Sequence, residues 1–241
     1  MTDRQRPNAE PPDREADAAE VGPVVADILT VATREFAQHG LAGARIERIQ
    51  EQTRTSKRMI YYHFGSKEGL YSAVLERAFE SVRRVDQGYD ATAGTPEQAF
   101  RRIASNAFEA FSGNPDFVRL LAFENLAGAP FIRESERVSH FNRRALADMQ
   151  AVLQRGQADG SVRNDVRAID AYINIVGLCF YHVAHHAGYL AGGFDRGDKR
   201  HIQSLAFHRQ RQHVIEEACW RYVKADAAPP ADAAPRRPSS P

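Results

Sequence analysis

Residues 50–64 read QEQTRTSKRMIYYHF, which brings Lys, Arg, Tyr and His together over a few helical turns. Basic side chains neutralise phosphates, and Arg or Lys can pair with guanine O6 and N7 in a major groove. Ser56 stands before the basic pair as an N-cap, so the helix it starts points free N–H groups outward, which suits a phosphate. Lys57, Arg58 and Met59 fill the first turn, where a recognition helix meets base edges. Tyr61, Tyr62 and His63 can donate to phosphates or stack on sugar, although Tyr61 and His63 can equally serve as packing residues. Lys67 reaches the backbone from the start of the following helix, while Ile60 and Phe64 face a small core. From Arg45 to Lys67, six basic residues oppose two acidic ones, a local charge of +4 against +1 for the whole chain. A polyanion responds to the local figure.

The elements that must position these residues are helical. Apolar residues recur at helical spacing throughout, with no β-branched alternation above it, so the class is all-α. Val25, Ile28, Leu29, Ala32 and Phe36 form one stripe, closed by Gly40. A short helix over 45–52, a tight turn and a second short helix over 57–63 fit a helix-turn-helix. Ser66 caps a fourth helix carrying Leu70, Tyr71, Val74, Leu75, Ala78 and Phe79 and ending toward Gly88. Thr95 and Pro96 start a fifth, and further helices are expected near 115–126, 134–158, 166–189 and 201–223. Turn signals separate them, including SGNP at 112, GAP at 128, ADGSVRND at 158 and GGFDRGD at 192. The first 21 residues and the last 17 are too polar or too rich in Ala and Pro to offset ordering entropy. The expected organisation is a disordered tail over 1–21, a helix-turn-helix DNA-binding domain over 22–68, a larger helical domain over 69–224, and a second disordered tail over 225–241.

With ILTVATREFAQHG followed by IERIQEQTRTSKRMIYYHFGSKEGLYSAV, the region from Asp27 to Leu75 resembles the DNA-binding domain of the tetracycline repressor (TetR) family of bacterial regulators. The resemblance implies an operator-binding N-terminal domain joined by a linking helix to a C-terminal helical bundle. It implies a homodimer through the last two long helices, binding a palindromic double-stranded operator, and a small-molecule effector that releases it. The chain departs from the family pattern at four places: Arg45 replaces a threonine, Gln50 an alanine, Arg54 the glycine of the turn, and Thr55 a valine. A non-glycine residue in the left-handed region costs about 1–2 kcal/mol, so a strained turn is expected at Arg54. Arg45 and Arg54 offset this by adding phosphate contacts. The alternative is a helical protein with a degenerate turn, acting as a protein-interaction or weak non-specific DNA-binding module.

In the second domain, Ile169, Ile173, Val176, Phe180 and Val183, with Leu205, Ile215, Ala218, Trp220 and Tyr222, are more apolar surface than one short bundle must bury, which fits the dimer. The aromatic residues Phe108, Phe111, Phe123, Tyr172 and Phe180, with Glu124, Asn125 and His182 as polar selectors, would line a pocket for a small aromatic or acyl effector. Core packing is the competing reading of each phenylalanine. His182, His185 and His186 share one helical face, but zinc needs three or four convergent ligands, so no metal is assigned. No cofactor is assigned either, because the chain contains no G-x-S-x-G, H-E-x-x-H, P-loop or dinucleotide fingerprint; an enzyme is not expected. Cys179 and Cys219 lie in apolar helical patterns, as suits a reducing cytoplasm, and with no basic stretch followed by an apolar run at the start a secretory signal is not expected. The apolar run from Ile173 is broken by histidines and glycines, so no membrane span is expected.

Overall fold

A computed structural model describes residues 14–84, 93–191 and 204–226. Its helices are α1 (Arg14–Gly43), α2 (Ile46–Glu51), α3 (Lys57–Phe64), α4 (Lys67–Arg84), α5 (Pro96–Ser112), α6 (Pro115–Leu126), α7 (Pro130–Glu134), α8 (Glu136–Asp159), α9 (Ala168–Ala184), α10 (His186–Ala191) and α11 (Leu205–Val223). Among the described residues there is no strand, only an isolated bridge between Val162 and Lys224 that pins the end of α11 to the α8–α9 connection. The class is all-α, as the periodicity predicts.

The expected caps are in place. Ser66 Oγ accepts from Gly69 N at 3.0 Å, and Thr95 forms a reciprocal capping box with Gln98. Gly40 breaks α1 with φ 64° and ψ 177°, a conformation that a Cβ disfavours. The buried stripe Ile28, Ala32 and Phe36 of α1 meets Ile49, Ile60, Leu70 and Tyr71, and the same apolar core continues through α5, α8, α9 and α11. Linking helix α4 touches both halves, packing on α1 and α3 at one end and on α5, α6, α7 and α8 further along.

Several expectations are corrected. The helix begins at Arg14 instead of after residue 21, because READAAEV is built of good helix formers. The helix expected over 134–158 is α8, which starts at Glu136 behind the cap Ser135, whose Oγ accepts from Val138 N at 3.2 Å, and the short α7 that precedes it is not among the expected helices. The helix expected over 166–189 breaks at His185, which stacks on Tyr181 at 3.9 Å. Ile215 and Trp220, assigned to the dimer face, are buried within the single chain, where Trp220 packs on Phe100. Of the other residues assigned to that face, Ile169, Ile173, Leu205 and Tyr222 are exposed, and Leu178, Tyr181 and Val214 join them. The expectations on residues 1–13, 85–92 (with Gly88), 192–203 (with His201) and 227–241 lie outside the described residues.

Candidate nucleic-acid interface and effector cavity

Helix α3 has one anchored residue and a wide exposed face. Ile60 is fully buried, whereas Lys57, Arg58, Met59, Tyr61 and Tyr62 are exposed, Tyr62 at 77%. Ser56 caps the helix, its Oγ accepting from Met59 N at 3.3 Å. Lys57 Nζ lies 2.5 Å from Glu47 Oε1 on α2 and 6.0 Å from the Tyr61 ring centroid. The Lys57 hydrogen bond lowers the Glu47 pKa, and the same bond raises that of Lys57. Lys67 Nζ approaches Ala42 O at 3.5 Å, holding the start of α4 against the end of α1. His63 follows the packing alternative: its Nε2 is buried and unpartnered, and its ring meets Tyr62 and Phe64 edge-on.

The turn is not strained at Arg54. Among the described residues the only non-glycine with positive φ is Ala129, so no left-handed residue is needed between α2 and α3. The turn is instead held by hydrogen bonds: Gln52 N donates to Ile49 O, and Thr53 N to Gln50 O, both at 3.2 Å. Thr53 Oγ1 lies 3.0 Å from Ile49 O, and Arg54 N approaches Asp27 Oδ2 of α1 at 3.5 Å. A threonine hydroxyl bonded to its own helix end does here what a glycine turn does by conformation. The Arg54 side chain remains exposed.

The start of α2 is also rebuilt. Arg45 provides no side-chain cap, and its N–H instead donates to Glu35 Oε1 of α1 at 3.0 Å. Glu35 is buried and also pairs with Arg48 at 3.3 Å and His39 at 3.7 Å. Arg48, counted in the basic cluster, is therefore committed to the protein, whereas the Arg45 side chain is exposed.

In the C-terminal half a cavity of about 540 Å3 opens between α4, α5, α6, α7, α8 and α9. Of the expected lining, Phe111, Asn125 and Tyr172 are there. Phe108, Phe123, Glu124, Phe180 and His182 are not, because neighbouring positions on a helix point about 100° apart. On α5 the face bearing Ile103, Ala107 and Ala110 meets the cavity, while Phe108 turns toward α9 and α11, 5.2 Å from the His182 ring and 4.8 Å from His208. Phe180, one turn beyond Val176, packs on the core past the cavity. His182 is buried with its Nδ1 unpartnered. Burial first, and then the charges of Arg211, His186 and His208, lower its pKa to about 4. Among the described residues no three His, Cys, Asp or Glu side chains are grouped to hold a metal.

On α6 three successive residues face three different neighbours. Asn125 lines the cavity. Glu124, 2% exposed, accepts from Tyr71 of α4 and from Ile132 N at 3.2 Å. Burial, with the Glu124 charge and hydrogen bond behind it, raises the Tyr71 pKa well above that of free tyrosine. The Phe123 ring covers Gly40. Sequence reasoning missed the polar lining residues Arg83, Asn142, Arg143 and Asp148. Two had a visible signal: Arg83 follows Phe79 by four on the buried stripe of α4, and Asn142 stands between Val138 and Leu146 on that of α8.

Residues 28–74 match the family described as "Bacterial regulatory proteins, tetR family", and residues 96–196 match "Tetracyclin repressor-like, C-terminal domain". The chain is 33% identical over 156 residues to the HTH-type transcriptional repressor NicS of Pseudomonas putida, covering 65% of this chain and 74% of NicS. It is 28% identical over 176 residues to the HTH-type transcriptional repressor SCO4008 of Streptomyces coelicolor, covering 71% and 85%. The crystal structure of the regulator SCO4942 from the same organism superposes with a TM-score of 0.62 at 26% identity, over 83% of this chain and 98% of that one.

Proposed function

Because the chain belongs to the TetR family of bacterial transcriptional regulators, we propose that it is a homodimeric repressor that reads a palindromic operator through α3 and leaves it when a small effector enters the C-terminal cavity. The observation that carries the DNA-binding reading is the exposed first turn of α3, where Lys57, Arg58 and Met59 surround the buried anchor Ile60. Arg58 and Met59 read base edges, Tyr61 and Tyr62 donate to phosphates, and Arg45, Arg54 and Lys67 add backbone contacts on either side. The basic side chains arranged around a capped helix end favour a polyanion over a protein partner.

Release runs through α4 and α6. A ligand in the cavity touches Phe79 and Arg83 on α4 and Asn125 on α6. Glu124 and Phe123, beside Asn125, hold Tyr71 and Gly40, so a displacement of α6 reaches both the linking helix and the first helix of the DNA-binding domain. Such coupling requires that the effector bind one arrangement more tightly than the other. Exposed Leu178, Tyr181, Leu205 and Val214 give α9 and α11 an apolar face for a second copy, and two half-sites about 34–36 Å apart would match such a dimer. The reading is tested by titrating labelled promoter DNA at several salt concentrations with wild type and Arg58→Ala. Wild type should prefer one sequence, and the variant should lose that preference.

A further inference from the structure

We propose that the effector is a small organic anion whose charged group is held by Arg83; this rests on the reading of the cavity as the effector site. The wall is mostly apolar, and Phe79, Phe111 and Phe117 engage one another edge to face, with centroids at 5.1 and 5.5 Å about Phe117. Such a wall accepts the body of a ligand without choosing its charge. The choice falls to the three charged side chains that reach the lining: Arg83, Arg143 and Asp148.

Arg143 contributes little, because its side chain is 66% exposed and lies 3.6 Å from Glu136. Solvent screens it. Arg83 is half-buried, donates to Tyr172 Oη, and lays its guanidinium 5.8 Å from the centroid of that ring. A cation therefore already faces the Tyr172 ring, the surface a quaternary ammonium would use, and a second cation there would be repelled. An anion is attracted by the same field, which apolar walls strengthen. Tyr172 Oη accepts from Arg83, which leaves its own hydrogen for donation. A carboxylate can thus take one bond from the guanidinium and one from the hydroxyl, a two-point reading that a neutral amide matches poorly. Asp148, on the opposing helix α8, disfavours a second negative charge and so selects a monoanion.

The position of Arg83 gives the bound charge a mechanical role. It is the next-to-last residue of α4, whose other end, Lys67, follows the recognition helix about 24 Å away along the axis. An anion that takes a bond from both the Arg83 guanidinium and the Tyr172 hydroxyl tightens the tether between α4 and α9.

The test uses the full-length dimer and three probes of like size: benzoate, benzamide and phenyltrimethylammonium, each assayed by thermal shift, calorimetric titration and release of operator DNA. Benzoate should bind, and the other two should bind at least roughly tenfold more weakly, the difference a charged hydrogen bond makes. Arg83→Gln should weaken benzoate by a similar factor while circular dichroism shows a folded protein. If that variant does not fold, Tyr172→Phe, which removes one oxygen, should weaken benzoate severalfold. Equal binding of benzamide, tighter binding of the ammonium, no binding of benzoate, or unchanged benzoate affinity in both variants each overturns the proposal. Benzoate binding that depends on Arg83 but leaves the operator bound would uphold the anion site and sink the effector reading. Operator release by a neutral or cationic probe would do the reverse.

Discussion

The Phe123 ring stands 3.0 Å from the place a Cβ would occupy on Gly40, where α1 breaks with φ 64° and ψ 177°. An added methyl meets both backbone strain and an aromatic wall. Gly40→Ala should destabilise the protein by about 1–3 kcal/mol, read by urea unfolding. Adding Phe123→Ala should not restore wild-type stability, because it relieves the clash and leaves the strain. Full recovery in the double variant would show that the dihedral matters little.

The turn predicts a different result at Arg54. Since no left-handed residue is required there, Arg54→Gly should leave stability unchanged or lower it by about 0.5–1 kcal/mol, the entropic effect of glycine. The slope of log affinity against log salt should fall by about one unit if Arg54 meets a phosphate. A stabilised variant would mean that the turn is strained after all, and an unchanged slope would remove Arg54 from the interface.

Lys57 is held by Glu47 in the free protein, at 2.5 Å. DNA must draw the ammonium away from that carboxylate, which itself repels phosphates. Glu47→Gln should therefore tighten operator binding severalfold in low salt, as measured by fluorescence anisotropy, with the gain shrinking as salt rises. Weaker binding by this variant would show that Glu47 orients Lys57 for its contact.

His182 gives the fold a pH dependence. Its folded pKa, near 4, lies below the ordinary 6.5, so the unfolded chain binds the proton first. The stability from burying the neutral ring is complete above about pH 6.5 and is lost as pH falls toward 4, a change of up to about 3 kcal/mol. In urea unfolding at pH 7, 6 and 5, His182→Phe should show a shallower loss than wild type. Parallel curves would assign the acid sensitivity to other groups.

The DNA-binding half was legible because its signals are local. Ser56, Ile60 and Gly40 act through positions a few residues away, and each sits where spacing puts it. Arg54 misled because the pattern identified the missing glycine, whereas the substitute, the Thr53 hydroxyl on Ile49 O, is a bond that no spacing rule specifies. Glu35, which serves the start of α2 from ten residues earlier, is likewise a tertiary fact. The cavity was the hardest part. Aromatic content located the right helices, but a rotation of about 100° per residue separates Asn125 in the cavity from Glu124 on Tyr71 and Phe123 on Gly40, and only packing decides which face goes where. Arg83 could have been found as a charge on the apolar stripe of α4.

The central claim, a dimeric and sequence-reading repressor, is tested most directly by selecting DNA from a random pool with the wild-type protein. Such a repressor should enrich one palindrome whose half-sites lie about one helical turn apart, roughly 10 base pairs centre to centre. A pool that stays random after selection, while still being retained by the protein, would contradict it.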